Sequence, residues 1–483
     1  MRNNRKIAFA ASECQPFFTS GGLGEVVGSL PKRIISMSNK GYDLTVYLPL
    51  YSKISKDYAN KIEFVTKFDV NLSWRRQYCG VYKYQLNGVK YYFIDNEYYF
   101  KRDNYYGYFD DAERFAFFSK AVIEVMLKLK EIPDIIHCHD WQTGLIPVYL
   151  RTIYYHNESF YKTKRIFTIH NIEYQGNYSQ NNDFIEDVFG IDKHDTYLLE
   201  FNGNLNIMKG AIECSNIVST VSPTYAKEIM TKEYGHGLED IIIKANNEHK
   251  LLGILNGIDI NFYNPKTDKN IPFNYDDTML ENKTKCKESL IEELKIGNIN
   301  IPLIGMVTRL VSHKGLDILK EGIIDILNQD VSIVILGTGD ASYEEFFKDI
   351  ENKYHDKVRV ILDFNQSLAR KIYAASDIFL MPSKAEPCGL SQMIASRYGS
   401  IPLVRATGGL FDSIIDFSKD DGNGYVFSGI ESKNLCAKLN QALEDYHNKN
   451  WNEKVIKVMN VDFSWDKSAL KYIEMYKQVL KQK

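Results

Sequence analysis

The chain has few cysteines and none in a useful pair. Seven stand singly over 483 residues: Cys14, Cys79, Cys138, Cys214, Cys286, Cys388 and Cys436. An odd number with no Cys-x-x-Cys spacing excludes a disulfide framework and a zinc knuckle, and points to a reducing compartment. Neither sign of charge is in excess: 59 Lys and Arg face 62 Asp and Glu, a net charge of −3. Such a balance offers little attraction to nucleic acid or to an anionic membrane. No apolar run reaches the length of a membrane span. The basic start at 1–6 precedes an apolar run at 7–11 that is too short for a signal sequence and is ended by Glu13. Internal repeats and low-complexity tracts are also missing. A cytoplasmic protein that binds neither nucleic acid nor membrane is expected. Its oligomeric state is not encoded in any of these features.

What is present is alternation. The length exceeds one ordinary core, so two or more domains are expected. Short apolar runs read as strands at 6–11, 44–48, 91–94, 135–139, 165–169, 217–221 and 251–255, and again at 303–307, 332–336, 358–362, 378–381, 401–404 and 424–427. Helical patterns lie between several of them. The clearest is 112–130, where Phe115, Phe118, Val122, Val125, Met126 and Leu129 keep the 3.6 period. Near-continuous apolar strands between helices predict an α/β fold with parallel sheets covered on both faces. Ligands of such sheets bind at the carboxyl ends of the strands. The polar stretch 261–300 reads as a linker between residues 1–260 and a second core at 301–465. A last helix at 466–483, with Leu470, Ile473, Tyr476 and Leu480 in register, either closes its own domain or crosses back to the first.

Two turns carry the strongest local signal: Thr19-Ser20-Gly21-Gly22-Leu23 and Ala406-Thr407-Gly408-Gly409-Leu410. Each follows an apolar run and opens a helical one, which suits a phosphate, although glycine also serves plain strand-to-helix connections. A longer block, Met381-Pro382-Ser383-Lys384-Ala385-Glu386-Pro387-Cys388-Gly389-Leu390-Ser391, puts a carboxylate and a helix start at the end of a strand. No basic residue flanks Cys388, so it reads as a small buried thiol rather than a nucleophile.

These blocks, taken in order, resemble the glycogen and starch synthases, retaining glycosyltransferases of the GT-B architecture. The likeness starts at Ser12-Glu13 and the first Gly-Gly-Leu turn. It runs through His137-Cys138-His139-Asp140-Trp141, His170-Asn171-Ile172-Glu173-Tyr174-Gln175-Gly176, Asn256-Gly257-Ile258-Asp259 and Thr308-Arg309-Leu310-Val311-Ser312-His313-Lys314 to the Glu386 and Thr407 blocks. It implies two Rossmann-like domains facing a deep cleft. It implies glucose transfer from ADP-glucose, or less readily UDP-glucose, to the non-reducing end of an α-1,4-glucan, with no cofactor and no metal. In that reading Glu386, His170, Asp140, Arg309 and Lys314 are catalytic. The donor would lie on Thr19, Gly21, Gly22, Arg309, Lys314, Gly337, Tyr373, Cys388, Gly389, Leu390, Ser391, Thr407 and Gly408. The acceptor would lie on Asp140, Trp141, Asn171, Tyr174, Gln175 and Asn256.

Charge logic agrees, because the leaving nucleoside diphosphate gains negative charge and cations aimed at it stabilise the transition state. A rival reading makes His137, His139 and His170 a metal set. His137 and His139, alternating on a strand, are expected to point to opposite faces, which disfavours chelation. One position departs from the family pattern Lys-x-Gly-Gly-Leu: Thr19 replaces the lysine. The loss is on the order of 2–4 kcal/mol if that lysine acts chiefly in the transition state. A slower synthase is therefore expected, with Lys384 or Arg405 as candidate substitutes. The alternatives are a degenerate homologue that binds glucan or a partner, and another sugar-nucleotide enzyme of the same fold.

Overall fold

The structure, a computed structural model, describes residues 4–38, 41–179, 184–448 and 450–482. The chain forms two units: Met1–Asn256 with Trp465–Lys483, and Gly257–Ser464.

Among the described residues, twelve strands belong to unit 1: β1 (Arg5–Ala10), β2 (Tyr42–Pro49), β3 (Glu63–Leu72), β4 (Arg75–Leu86), β5 (Val89–Asp95), β6 (Ile135–His139), β7 (Lys164–Ile169), β8 (Asn177–Ser179), β9 (Glu200–Phe201), β10 (Asn204–Asn206), β11 (Ile217–Thr220) and β12 (Leu251–Gly253). Nine form one sheet in the order β12-β11-β7-β6-β1-β2-β5-β4-β3. The strands from β12 to β5 pair in parallel. Two antiparallel strands, β4 and β3, extend the edge. Sequence reading misses both, since their residues alternate between exposed and half-buried instead of forming an apolar run. The Asn87-Gly88 turn that joins β4 to β5 has both residues at positive φ, 51° and 82°, the geometry of a two-residue hairpin.

The helix Trp465–Lys481 packs on the helix Gly22–Met37 within unit 1. Its buried face is Ala469, Tyr472, Ile473, Tyr476 and Val479, while Leu470, expected on that face, is exposed.

Unit 2 holds one parallel sheet of six strands: β13 (Leu303–Val307), β14 (Ser332–Leu336), β15 (Val358–Ile361), β16 (Ile378–Met381), β17 (Ile401–Arg405) and β18 (Tyr425–Phe427), in the order β15-β14-β13-β16-β17-β18. The stretch 261–300 is not a linker. Its helix Leu280–Leu294 packs on the helix Gln366–Ala375, and Leu290 and Ile296 share a buried cluster with Leu303, Val334, Leu336 and Ile372. Each such aliphatic side chain contributes on the order of 2 kcal/mol on leaving water. The polar composition misleads because two of its lysines are buried and satisfied. Lys283 Nζ donates to the carbonyls of Ala374 and Ser376, both at 2.9 Å, and Lys287 Nζ pairs with Asp377 at 2.7 Å. The division between units falls after Asn256.

Candidate active site

In a parallel sheet, the place where strand order reverses leaves a crevice beyond the carboxyl ends of the two strands that part there. In unit 1 the reversal lies between β1 and β6; in unit 2 it lies between β13 and β16. The loops after these four strands carry most of the residues singled out by sequence.

In unit 2 the loop after β13 runs through Arg309 to Lys314 and closes on the loop after β16. The backbone N–H groups of Lys384 and Ala385 donate to the His313 carbonyl at 2.8 and 3.2 Å. Gly315 makes the approach feasible: at φ 70°, a Cβ there would lie 1.9 Å from the Pro382 carbonyl oxygen. The outcome is an ion pair. Lys314 Nζ donates to both oxygens of Glu386, at 3.0 and 2.8 Å, and the Ser383 hydroxyl donates to Oε2 at 3.0 Å. Both partners are largely removed from solvent, whereas Arg309 is exposed and reaches His313 Nε2 at 3.5 Å. Behind them the second Gly-Gly-Leu turn packs on the Glu386 loop. Gly409 N–H donates to the Glu386 carbonyl at 3.0 Å, and a Cβ on Gly409 would meet the Cys388 carbonyl oxygen at 2.1 Å.

Unit 1 is built differently. The Asp140 carboxylate accepts the His170 backbone N–H at 2.7 Å, and Asp140 itself sits at φ 57°, a strained region for a residue with a side chain. Removal from water raises its carboxyl to about 7, helped by the Glu13 charge and against the two backbone N–H donors of His170 and Asn171 that pull the other way. Burial lowers His137 and His170 to about 3 and His139 well below the usual histidine range, so all three rings are neutral. Near the first Gly-Gly-Leu turn the buried Glu13 accepts from the Ser20 backbone N–H, from the Ser20 hydroxyl at 2.7 Å and from the Tyr106 hydroxyl at 2.7 Å. Glu13 thus shapes that turn from the loop that follows β1. Thr19 turns inward over Gly24 and donates to the Gly21 carbonyl at 3.1 Å.

Several expectations change. His137 and His139 share one face, because residues two apart on a strand point the same way; their rings stack with centroids 4.3 Å apart. Among the described residues no group of three or more His, Cys, Asp or Glu is arranged to hold a metal ion. Trp141 is buried against Phe115, Tyr178 and Gly176, so it supports the site from below. Gln175 is also buried: Nε2 donates to the His236 carbonyl at 3.0 Å, and Oε1 accepts from Asn206 at 2.7 Å. Tyr373 is buried with its hydroxyl on Ser391 Oγ at 3.1 Å. Tyr174 is exposed, and Asn256 is buried with Oδ1 unpaired among the described residues. Gly337 lies against the loop after β13, where a Cβ would fall 1.7 Å from the Thr308 carbonyl oxygen. Lys384 and Arg405 are both committed within unit 2. Lys384 pairs with Asp317 at 2.8 Å, and Arg405 donates to the carbonyls of Lys384 and Gly429 at 2.9 and 2.8 Å.

Comparison with known proteins places this arrangement. Residues 6–244 match the model of the starch synthase catalytic domain, and residues 292–458 that of glycosyl transferases group 1. The chain is 46% identical to a glycogen synthase of Clostridium botulinum (strain Alaska E43 / Type E3) over 98% of its own length and 99% of that protein's. It is 42% identical to a glycogen synthase of Anoxybacillus flavithermus over 98% of each chain. Among solved structures it resembles the catalytic domain of starch synthase IV from Arabidopsis thaliana, bound to ADP and acarbose. That match has a TM-score of 0.91 and 34% identity, over 99% of this chain and 100% of that one. Sucrose-phosphate synthase from Thermosynechococcus elongatus shares the fold, with a TM-score of 0.61 at 14% identity and 99% of each chain covered. Two α/β units with charged and polar side chains gathered at their strand-order reversals, matched nearly end to end by these relatives, make the chain a glycosyltransferase of GT-B architecture that belongs to the glycogen and starch synthase family.

Proposed function

We propose that the protein transfers glucose from ADP-glucose to the non-reducing end of an α-1,4-glucan, with retention of configuration, in the cytoplasm. The observation that carries this reading is the Lys314–Glu386 pair beside Arg309 at the strand-order reversal of unit 2. Arg309 and Lys314 meet the diphosphate and take up the charge that develops as the glycosidic bond breaks. Glu386 faces the sugar, binds its hydroxyls and stabilises the cationic anomeric carbon. Gly389, Leu390, Ser391, Thr407 and Gly408 line the donor from the helix starts, and Gly337 from the loop beside them. Tyr373 and Cys388 hold those loops from beneath.

On unit 1, Gly21 and Gly22 present an open turn to the donor, since a Cβ on Gly21 would meet nothing within 4 Å. His170 and Asp140 address the sugar and the incoming hydroxyl, with Asn171, Tyr174 and Asn256 on the acceptor side. A neutral imidazole and a carboxyl titrating near 7 suit hydroxyl groups better than they suit phosphate. The starch synthase relative holding ADP and acarbose supports the same pairing of nucleotide and glucan. Seven free cysteines support the reducing compartment, and no helix of the described residues is long and apolar enough to cross a membrane.

The test is incubation of the purified protein with labelled ADP-glucose or UDP-glucose and glycogen. Label enters the glucan, faster from ADP-glucose. Donor binding with no transfer from either nucleotide overturns the reading.

A further inference from the structure

Of the three histidines at the ligand end of unit 1, only His170 has a part in the proposed transfer. His139 lies directly behind it, fully buried, with Nδ1 at 3.0 Å from His170 Nε2. Its ring is clamped between Phe9, at a centroid distance of 5.1 Å, and His137, at 4.3 Å. His137 cannot compete for that contact. Its Nδ1 is taken by the Tyr476 hydroxyl at 2.9 Å, and its Nε2 by the Thr168 hydroxyl at 2.6 Å.

We propose that His139 is a positioning residue that donates its Nδ1–H to His170 Nε2 and so holds the His170 proton on Nδ1. Two neutral rings joined by one hydrogen bond need one donor and one acceptor. If His170 were the donor, the His139 proton would have to sit on Nε2. That atom is buried and meets no polar atom among the described residues. A buried N–H without an acceptor is rarer and costlier than an unshared lone pair. The choice therefore falls on His139 as donor. His170 then shows an Nδ1–H group, a hydrogen-bond donor, to whatever oxygen it meets, and the hydrogen bond on one ring nitrogen sets the proton on the other.

This inference rests on His170 facing the transferred sugar, and its test separates the two. In the full-length protein labelled with 15N-histidine, the His170 signals, assigned through His170→Asn, show a protonated Nδ1 and a bare Nε2. A protonated Nε2, or exchange between both forms, overturns the proposal whatever His170 does. For function, His139→Leu lowers kcat about tenfold to hundredfold and leaves the glucan KM within about twofold. His139→Asn, whose amide nitrogen takes the place of Nδ1, recovers most of the loss. Equal losses in the two variants overturn the positioning role. Unchanged activity in His170→Ala, with the Nδ1 proton observed, instead overturns the reading of His170 and leaves the tautomer assigned.

Discussion

At the strand-order reversal of unit 2 the site groups are charged: Lys314 on Glu386, with Arg309 beside them. At the corresponding reversal of unit 1 the groups named above include no cation: three uncharged imidazoles, a carboxyl raised to about 7 and the buried Glu13. The topology is the same and the filling is opposite. A reaction that expels a diphosphate and accepts a hydroxyl needs both kinds of surroundings, a cationic one for the leaving group and a weakly polar one for the sugar and its acceptor. The contrast shows that a shared fold only supplies the crevice. Side chains at the loop tips decide what chemistry each crevice can support.

Four changes would break or sharpen this contrast. Glu386→Ala, and Glu386→Gln as its milder form, lower the transfer rate by on the order of a thousandfold or more while the circular-dichroism spectrum stays native. A wild-type rate in either would remove the charged crevice from the reaction. Lys314→Gln follows, with a loss of about a hundredfold to a thousandfold in kcat/KM for the nucleotide sugar. A loss confined to glucan KM would place Lys314 on the wrong substrate.

Thr19→Lys brings a cation to the first Gly-Gly-Leu turn, where the family pattern has one. It raises donor kcat/KM about tenfold, below the ceiling for a charge-assisted contact because Thr19 is packed over Gly24. If both kcat and donor KM stay put, the missing lysine was of no consequence in this chain.

Asp140→Asn tests the neutral crevice through stability. A carboxyl with a raised folded-state pKa costs nothing at a pH below the ordinary value of 3.8, where it is protonated folded and unfolded alike. The cost grows as pH rises toward about 7 and is constant above it. The asparagine variant should therefore melt about 2–4 °C higher than the parent at pH 8, a gap that closes toward pH 4. A gap of the same size at both pH values would mean that charge burial is not its source.

The parallel core and both sets of crevice loops are legible in the sequence, since strands buried on both faces announce themselves as apolar runs. Elements with one wet face are not. Strands β3 and β4 alternate, and the Asn87-Gly88 turn that marks their partner strand was the available signal. Residues 261–300 look like a linker because lysine is counted as exposed; Lys283 and Lys287 instead end on buried carbonyls and on Asp377. The sequence motifs fall on loops beyond the carboxyl ends of the strands, but the sequence cannot rank depth within those loops. Trp141, Gln175 and Tyr373 lie beneath the surface and position what Asp140, Tyr174 and Ser391 present. For His137 and His139 the two-residue spacing on β6 puts both rings on one side, contrary to the expectation of opposite faces.

Unit 1 is assembled from both ends of the chain, and unit 2 is one unbroken stretch between them. During synthesis the order of completion is thus the reverse of the order of appearance. The second unit has all its residues while the first still waits for the helix Trp465–Lys481. That late helix brings Tyr476 to His137, one ring away from His139. A nascent chain halted before it would carry a complete unit 2 and an incomplete unit 1. The helix Trp465–Lys481 thereby supports the histidine cluster of the first unit from behind.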